Sequence, residues 1–596
     1  MASGTLRGFP RNDTQPDRCI QGARHITSMS DENQEKAQAQ EQMILDARGK
    51  GNGETIKTYV KLSGPGWLQS AITLGGGSLA GSLYLGIIGG YDMMWLQPLM
   101  MIFGVVMLSA ISYVTLSTGE RPFRALNEHV NPVLGWGWLI ASMMANLVWA
   151  MPQFSLGTAA LQQNLGMFNF EGGKQVACLL LFIVSTVIVL MYDKGGLAYK
   201  IFDIILKLMV GLVVVSFFLV ILAMATSEAG LPWGRIIMGF IPNPNLLFEP
   251  ASALKELVAQ SSAKEYWNEV VVSAQRDRMV AAAATAVGIN MTFLLPYSMM
   301  KRGWNKNFRG LAIFDLSTGL FIPFLLATSC VVIAAATQFH ANPEPGLIEV
   351  HQAGADVESV PAKTKEAYEK NLTAMLKATG QAATPEEAVA KWSTLPEADR
   401  VIASTLIQRD AFALANSLEK LAGKGISQTV FGVGVVGMAV SSIIILMLIN
   451  GFALCEMVGG KSAGMLYKIG CILPGITGAI GALYLWKGDT LFYLAVPTSR
   501  FGMVLLPIAY IAFFCLMNNK KLLGDALPQG RAKTVWNSLM GIAVVLACIG
   551  AAVSILNDKA ALPGTEIMVK HLAMGLIGIL VVVALIIQFK RKSAKE

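Results

Sequence analysis

Charge is scarce in this chain. Asp, Glu, Lys and Arg make up 14% of its 596 residues, against about 25% in soluble domains. That excludes an ordinary soluble fold. Cysteine is sparse where a disulfide framework would need it. Cys19 lies in the polar N-terminal stretch, and Cys178, Cys330, Cys455, Cys471, Cys515 and Cys548 lie in apolar runs. The long polar loops hold none, so these residues read as small apolar side chains. Five histidines are present and none falls in mid-span, which excludes a histidine proton relay. There is no G-x-x-x-x-G-K-S/T run and no spaced Ser/His/Asp set, so the chain is not read as an enzyme and no cofactor is expected. The N-terminal stretch has no signal-peptide apolar core.

What the chain has in abundance is apolar sequence. Hydrophobic residues make up 54% of it, in repeated runs long enough to cross a bilayer. The fold class is therefore an all-α membrane protein with about 12 transmembrane helices. Residues 1–59 read as a mostly disordered tail with one short helix near 32–47. Residues 60–338 hold spans one to seven, with a polar connection at 226–278. Residues 339–428 form an Ala/Glu/Lys-rich helical insert, 429–517 hold spans eight to ten, and 518–596 hold spans eleven and twelve with a basic tail. Lys and Arg gather in the short loops on one side, at Lys301, Arg302, Lys306, Arg309, Lys520 and Lys521, and the formal charge of +8 needs no nucleic-acid partner. By the positive-inside rule both termini are cytoplasmic, the insert faces outward, and the protein is a multi-pass protein of the plasma (inner) membrane.

Two spans are interrupted. The first, Gly64 to Gly90, carries Gly75-Gly76-Gly77-Ser78 near its middle, and a glycine costs a helix about 1 kcal/mol relative to alanine. The sixth, placed at Met279–Met299, is interrupted at Gly288-Ile289-Asn290-Met291-Thr292. Each opens a block of five spans of opposite orientation, the pattern of a LeuT-like 5+5 inverted repeat whose broken helices form the binding site at mid-membrane. Candidate substrate-binding residues are Gly75, Gly76, Gly77, Ser78, Gly288, Asn290, Met291 and Thr292. Asn146 and Gln153, polar residues of the third span, are candidates for lining the path. Asp203, Lys207, Asp315 and Glu456 sit near span ends and read as structural ion pairs or a gate on the cytoplasmic side.

These residues carry a resemblance. From Gly64 to about Asp525 the chain resembles the Nramp (natural resistance-associated macrophage protein) family of divalent-metal transporters, of the APC superfamily. The matching stretches are Gly64-Pro65-Gly66-Trp67-Leu68, Leu74 to Gly81, Gly157-Thr158-Ala159, Ala335 to His340, Ser441-Ser442 with Cys455-Glu456, Leu506-Pro507, and Lys520 to Gly524. The resemblance implies a secondary transporter whose partners are the lipid bilayer and a small ion or small-molecule substrate. The family's Asp and Asn ligands fall here on Gly75 and Ser78, and its Met ligand on Asn290. The family Pro falls on Met291 and its His on Thr292, while its acidic proton-path pair falls near Met151 and Phe154. Carboxylate, thioether and proton carriers are thus all expected to be absent. That leaves hard oxygen donors, which suit Mg²⁺ better than Mn²⁺ or Fe²⁺. A cation-coupled symporter of a small neutral or zwitterionic solute, and a transport-inactive binding or sensing protein, are the alternatives. In LeuT-like transporters a hydroxyl pair on span eight often holds a monovalent cation. Ser441 and Ser442 are candidates for such a site, with Na⁺ or H⁺ as the coupling ion.

Overall fold

The computed structural model describes residues 31–593 except 195, 229, 345, 351–359, 410, 461–463, 486–494 and 559–567. Residues 1–30, most of the expected disordered tail, lie outside the described part. Among the described residues eleven helices are long and apolar enough to cross a membrane, and a bent pair makes a twelfth span.

The bent pair is the glycine-rich first span. Helix α3 (Pro65–Thr73) gives way to α4 (Gly76–Gly89) at a 56° bend. The break is shorter than expected. Only Leu74 and Gly75 leave the helix, and Gly76-Gly77-Ser78 form the first turn of α4. First-turn N–H groups have no partner within their own helix, so glycines cost less there than in a helix interior. The sixth span is α11 (Lys264–Ala284) followed by α12 (Ile289–Lys301). Its break also differs from expectation. It spans 285–288, and Ile289 to Thr292 are the first turn of α12. The helix restarts early because Asn290 Oδ1 accepts from the Met291 N–H at 2.9 Å and Met291 Sδ from the Gly288 N–H at 3.4 Å.

Between these spans run α5 (Leu96–Thr118), α6 (Pro132–Ala159), α7 (Gly173–Lys194) and α8 (Gly196–Ala225), joined to α11 through the short helices α9 (Trp233–Met238) and α10 (Ser252–Gln260). Span seven is α13 (Arg309–Asp315), a π turn, and α14 (Ile322–Phe339). The insert holds α15 (Ala362–Ala378), α16 (Pro385–Lys391), α17 (Glu397–Thr405) and α18 (Ala411–Lys424). Spans eight to twelve are α19 (Phe431–Met457), α20 (Gly464–Ile480), α21 (Ala495–Met517), α22 (Gly530–Leu556) and α23 (Val569–Ser593). Helix α19 is buried along almost its whole length and sits at the centre of the bundle, whereas the strongest apolar stretch of α23 buries nothing.

Residues 31–62, read as a tail with one short helix near 32–47, are the helices α1 (Asp31–Lys50) and α2 (Asn52–Leu62). Polar contacts hold them in place of an apolar stripe. Glu41 accepts from the Asn305 and Asn307 side chains at 2.7 and 2.5 Å, Arg48 donates to the Asn307 carbonyl at 2.6 Å, and Ile44 is fully buried. The insert packs on the bundle through a shared core. Its apolar core of Tyr368, Leu372, Met375 and Ile402 is continuous with Leu254, Trp267 and Val271 of α10 and α11. Buried Asp399 accepts from Ser261 Oγ, from the Ser262 N–H (3.1 Å) and Oγ (2.7 Å), and from Trp267 Nε1 (2.7 Å). Helix α11 begins at Lys264, well before the expected Met279, because its polar half packs on the insert and needs no lipid-compatible face.

Candidate functional site

Both breaks open onto one interior cavity. Ile72, Thr73, Gly75, Gly77 and Ser78 come from the first span, and Thr285, Gly288 and Met291 from the sixth. Trp149, Pro152 and Gln153 of α6, Ser442 and Leu446 of α19, and Thr498 and Ser499 of α21 complete the wall. The free volume is ≈ 40 Å³, and one water needs roughly 10–15 Å³ on that measure. The space is enough for about three waters, or for an ion that keeps part of its hydration. None of the described lining residues is a carboxylate.

The helix ends at the break are finished by hydroxyls and amides. The last carbonyls of α3 carry the negative end of its dipole towards the cavity. Ser441 Oγ donates to the Ala71 carbonyl at 2.9 Å, Ser442 Oγ lies 3.3 and 3.4 Å from the Ala71 and Ile72 carbonyls, and Ser78 Oγ donates to the Thr73 carbonyl. At the start of α4 the Gly76 N–H donates to Gln153 Oε1 at 2.8 Å. Gly75 has no room for a side chain, since a Cβ there would collide with Ser442 Oγ and lie 3.1 Å from the Ile72 carbonyl oxygen.

The expected absence of a thioether is corrected. Met291 lines the cavity, and its Sδ, between the two breaks, accepts from Thr73 Oγ1 at 3.2 Å as well as from the Gly288 N–H. Asn290, the position matched by the resemblance, turns away, and its Nδ2 donates to Asn146 Oδ1 at 2.9 Å. Neither Asn290 nor Asn146 borders the cavity; together they tie α6 to the sixth-span break. Thr292 also points away and accepts from Trp138 Nε1 at 2.9 Å. Of the other candidates, Gly75, Gly77, Ser78, Gly288, Gln153 and Ser442 line the cavity, Gly76 contributes the N–H held by Gln153, and Ser441 works from behind through the Ala71 carbonyl.

Sequence reasoning missed Thr73, Trp149, Thr285, Thr498 and Ser499. Thr498 and Ser499 fall in the polar run Thr498-Ser499-Arg500, which reads as loop at the head of the tenth span. Thr285 opens the true sixth-span break in an alanine-rich run that carries no breaker signal. The charged residues at span ends are engaged on the face that carries α1 and α2. Asp203 pairs with Lys207 at 2.9 Å and Arg302 at 3.1 Å, and Glu456 with Arg121 at 3.2 Å. Asp315 accepts from Ser63 Oγ and from the N–H groups of Gly64 (3.0 Å) and Gly66 (2.5 Å), which caps α3 from span seven.

The model of the family described as natural resistance-associated macrophage protein-like matches residues 66–364 and 398–558. No curated protein matches the chain. Among solved structures, a histidine-to-alanine mutant of the Eremococcus coleocola manganese transporter is 13% identical and superposes with a TM-score of 0.60, covering 89% of this chain and 95% of that one. The same transporter in complex with an aromatic bis-isothiourea substituted compound gives 12% identity and 0.60 over the same shares. At such identity the likeness shows a shared fold, the LeuT-like bundle.

Proposed function

The chain belongs to the Nramp family, and from that premise we propose that it is a secondary active transporter carrying a divalent metal cation through the cavity between its two helix breaks. The observation that carries the reading is Met291, whose thioether stands at the meeting point of both breaks beside the last turn of α3. A thioether recruits soft or borderline metals in preference to Mg²⁺ or Ca²⁺. The expectation of Mg²⁺ rested on an all-oxygen site, and with Met291 in place the proposal is a transition-series divalent ion such as Mn²⁺. The related manganese transporter of the same fold supports this choice of substrate. Without a carboxylate in the described wall, the ion's charge is met by the negative end of the α3 dipole and by the hydroxyls of Thr73, Ser78 and Ser499.

The test is uptake into proteoliposomes. The parent takes up Mn²⁺ in preference to Mg²⁺, and Met291→Leu lowers Mn²⁺ uptake at low concentration by about tenfold, the effect of ~1.4 kcal/mol, with Mg²⁺ uptake unchanged. Parent vesicles that accumulate Mg²⁺ and no Mn²⁺ overturn the choice of metal.

Ser441 and Ser442 favour a further element. Both reach across to carbonyls of α3, so two hydroxyls and two carbonyls converge at one spot, as a hard monovalent cation requires. None of the described lining residues titrates near neutral pH. We therefore take Na⁺ over H⁺ as the coupling ion, with termini in the cytoplasm and the insert outside. Replacing Na⁺ by choline at fixed pH abolishes uptake under this reading; unchanged uptake sinks it.

A further inference from the structure

The connection between spans five and six carries large apolar side chains that none of the described residues covers. Trp233 is 50% exposed, Ile237 66%, Met238 65%, Phe240 38%, Ile241 58% and Phe248 74%. They lie on and after α9, outside every membrane-crossing helix. Contiguous exposed apolar surface of this kind marks contact with something else. From Gly230 to Phe248 the sequence has no acidic residue and one cation, Arg235. The patch follows directly on α8, whose Val215, Phe218 and Leu222 are 47–55% exposed along the bundle surface that lipid covers. Tryptophan and phenylalanine on one side with a basic residue beside them is the composition of a segment lying in a bilayer interface.

The opposite side of the segment is tightly held. Ile236 and Leu246 are buried. The Gly239 carbonyl accepts from the Trp95 N–H at 2.9 Å, and the Arg235 guanidinium sits 5.6 Å from the centre of the Tyr91 ring. Asp92 accepts from the Ser252 N–H and Oγ at 2.8 and 2.6 Å. Buried Gln275 of α11 donates to the Leu246 and Glu249 carbonyls, the latter at 2.8 Å, and accepts from the Ala251 N–H at 3.0 Å. One stretch of chain is therefore bonded to the end of α4 and to α11, the halves of both broken spans on the insert face.

We propose that residues 231–248 form an interfacial strap that docks on lipid: its apolar side chains lie at the boundary of headgroups and acyl chains in the leaflet on the insert face. Through Gly239, Asp92 and Gln275, the bilayer then bears on both half-helices above the cavity.

The experiment reads Trp233 in proteoliposomes, as the emission of the parent minus that of Trp233→Phe. Vesicles are made from lipid without bromine, with bromine near the headgroup end of the acyl chains, or with bromine near the methyl end. The strap predicts loss of the Trp233 emission with the shallow bromine and a smaller loss with the deep bromine. Emission equal to that in unbrominated vesicles overturns lipid contact. Stronger quenching by the deep bromine overturns the interfacial position. Disulfide-linked dimers of Ile237→Cys in the same vesicles, absent from the parent, would give the face to a second copy of the chain and also overturn it.

Discussion

The site turns on which atoms sit within one residue of a helix break. Met291 and Asn290 are neighbours in sequence, yet the thioether enters the cavity and the amide leaves it for Asn146. Adjacent helical residues point about 100° apart, so a slip of one position in a motif match exchanges a soft ligand for a structural amide. Gly75 shows the same tightness. An added methyl must displace Ser442 Oγ, and overpacking of this kind costs about 1–3 kcal/mol. Gly75→Ala is expected to lower thermal stability in detergent and to abolish uptake, while Gly75→Ala with Ser442→Ala recovers part of the stability. A double variant no more stable than the single one would show that Ser442 is not the obstacle. His340, just past α14, is also closely held. Its Nδ1 lies 3.0 Å from the Ile87 carbonyl, and burial pushes its imidazole below the ordinary value, opposed by that bond and by Asp92. The unfolded chain then takes up the proton first as pH falls. Stability from this residue is complete above about pH 6.5, the ordinary value, and is lost as pH drops through and below it. Melting temperature between pH 7.5 and 5 should fall more steeply for the parent than for His340→Gln; equal slopes would contradict this.

At the scale of elements, the half-helices are held from outside themselves. Asp315 caps α3 from span seven, Gln153 caps α4 from α6, and Asp399 binds the turn before α11 from the insert. Asp399→Asn removes a charge that four donors converge on. Hydrogen bonds to charged groups are worth about 1.5–3 kcal/mol, so a loss of that order is expected, read as a lower melting temperature and faster proteolysis within the insert. An unchanged melting temperature would mean that the insert is only tethered to α11. The existence of both breaks was legible in the sequence because glycine weakens the interior of a spanning helix. Their positions were not. A helix restarts as soon as its first N–H groups find partners, and those partners, Gln153 and the side chains of Asn290 and Met291, come from tertiary structure or from the next turn. Helix α1 was legible as a short helix near 32–47, whereas its full length and α2 were missed for a related reason. Glu41, Arg48 and their asparagine partners bind through polar groups and leave no apolar period to read.

Across the whole molecule, apolar run length and the pairing of spans one and six were enough to read a LeuT-like bundle, because hydrocarbon forces every backbone group into helix except where a cavity tolerates a break. The fusion of the insert with α10 and α11 was not legible, since its apolar positions look the same whether they close on themselves or on a neighbour. Transport as proposed requires a divalent ion at the meeting point of the two breaks. Anomalous diffraction at the manganese edge, from crystals soaked in Mn²⁺, tests this most directly. The account predicts one peak in the cavity within bonding distance of Met291 Sδ and the α3 terminus, absent from Met291→Leu crystals. A cavity without a peak, at Mn²⁺ concentrations that saturate uptake, would contradict it.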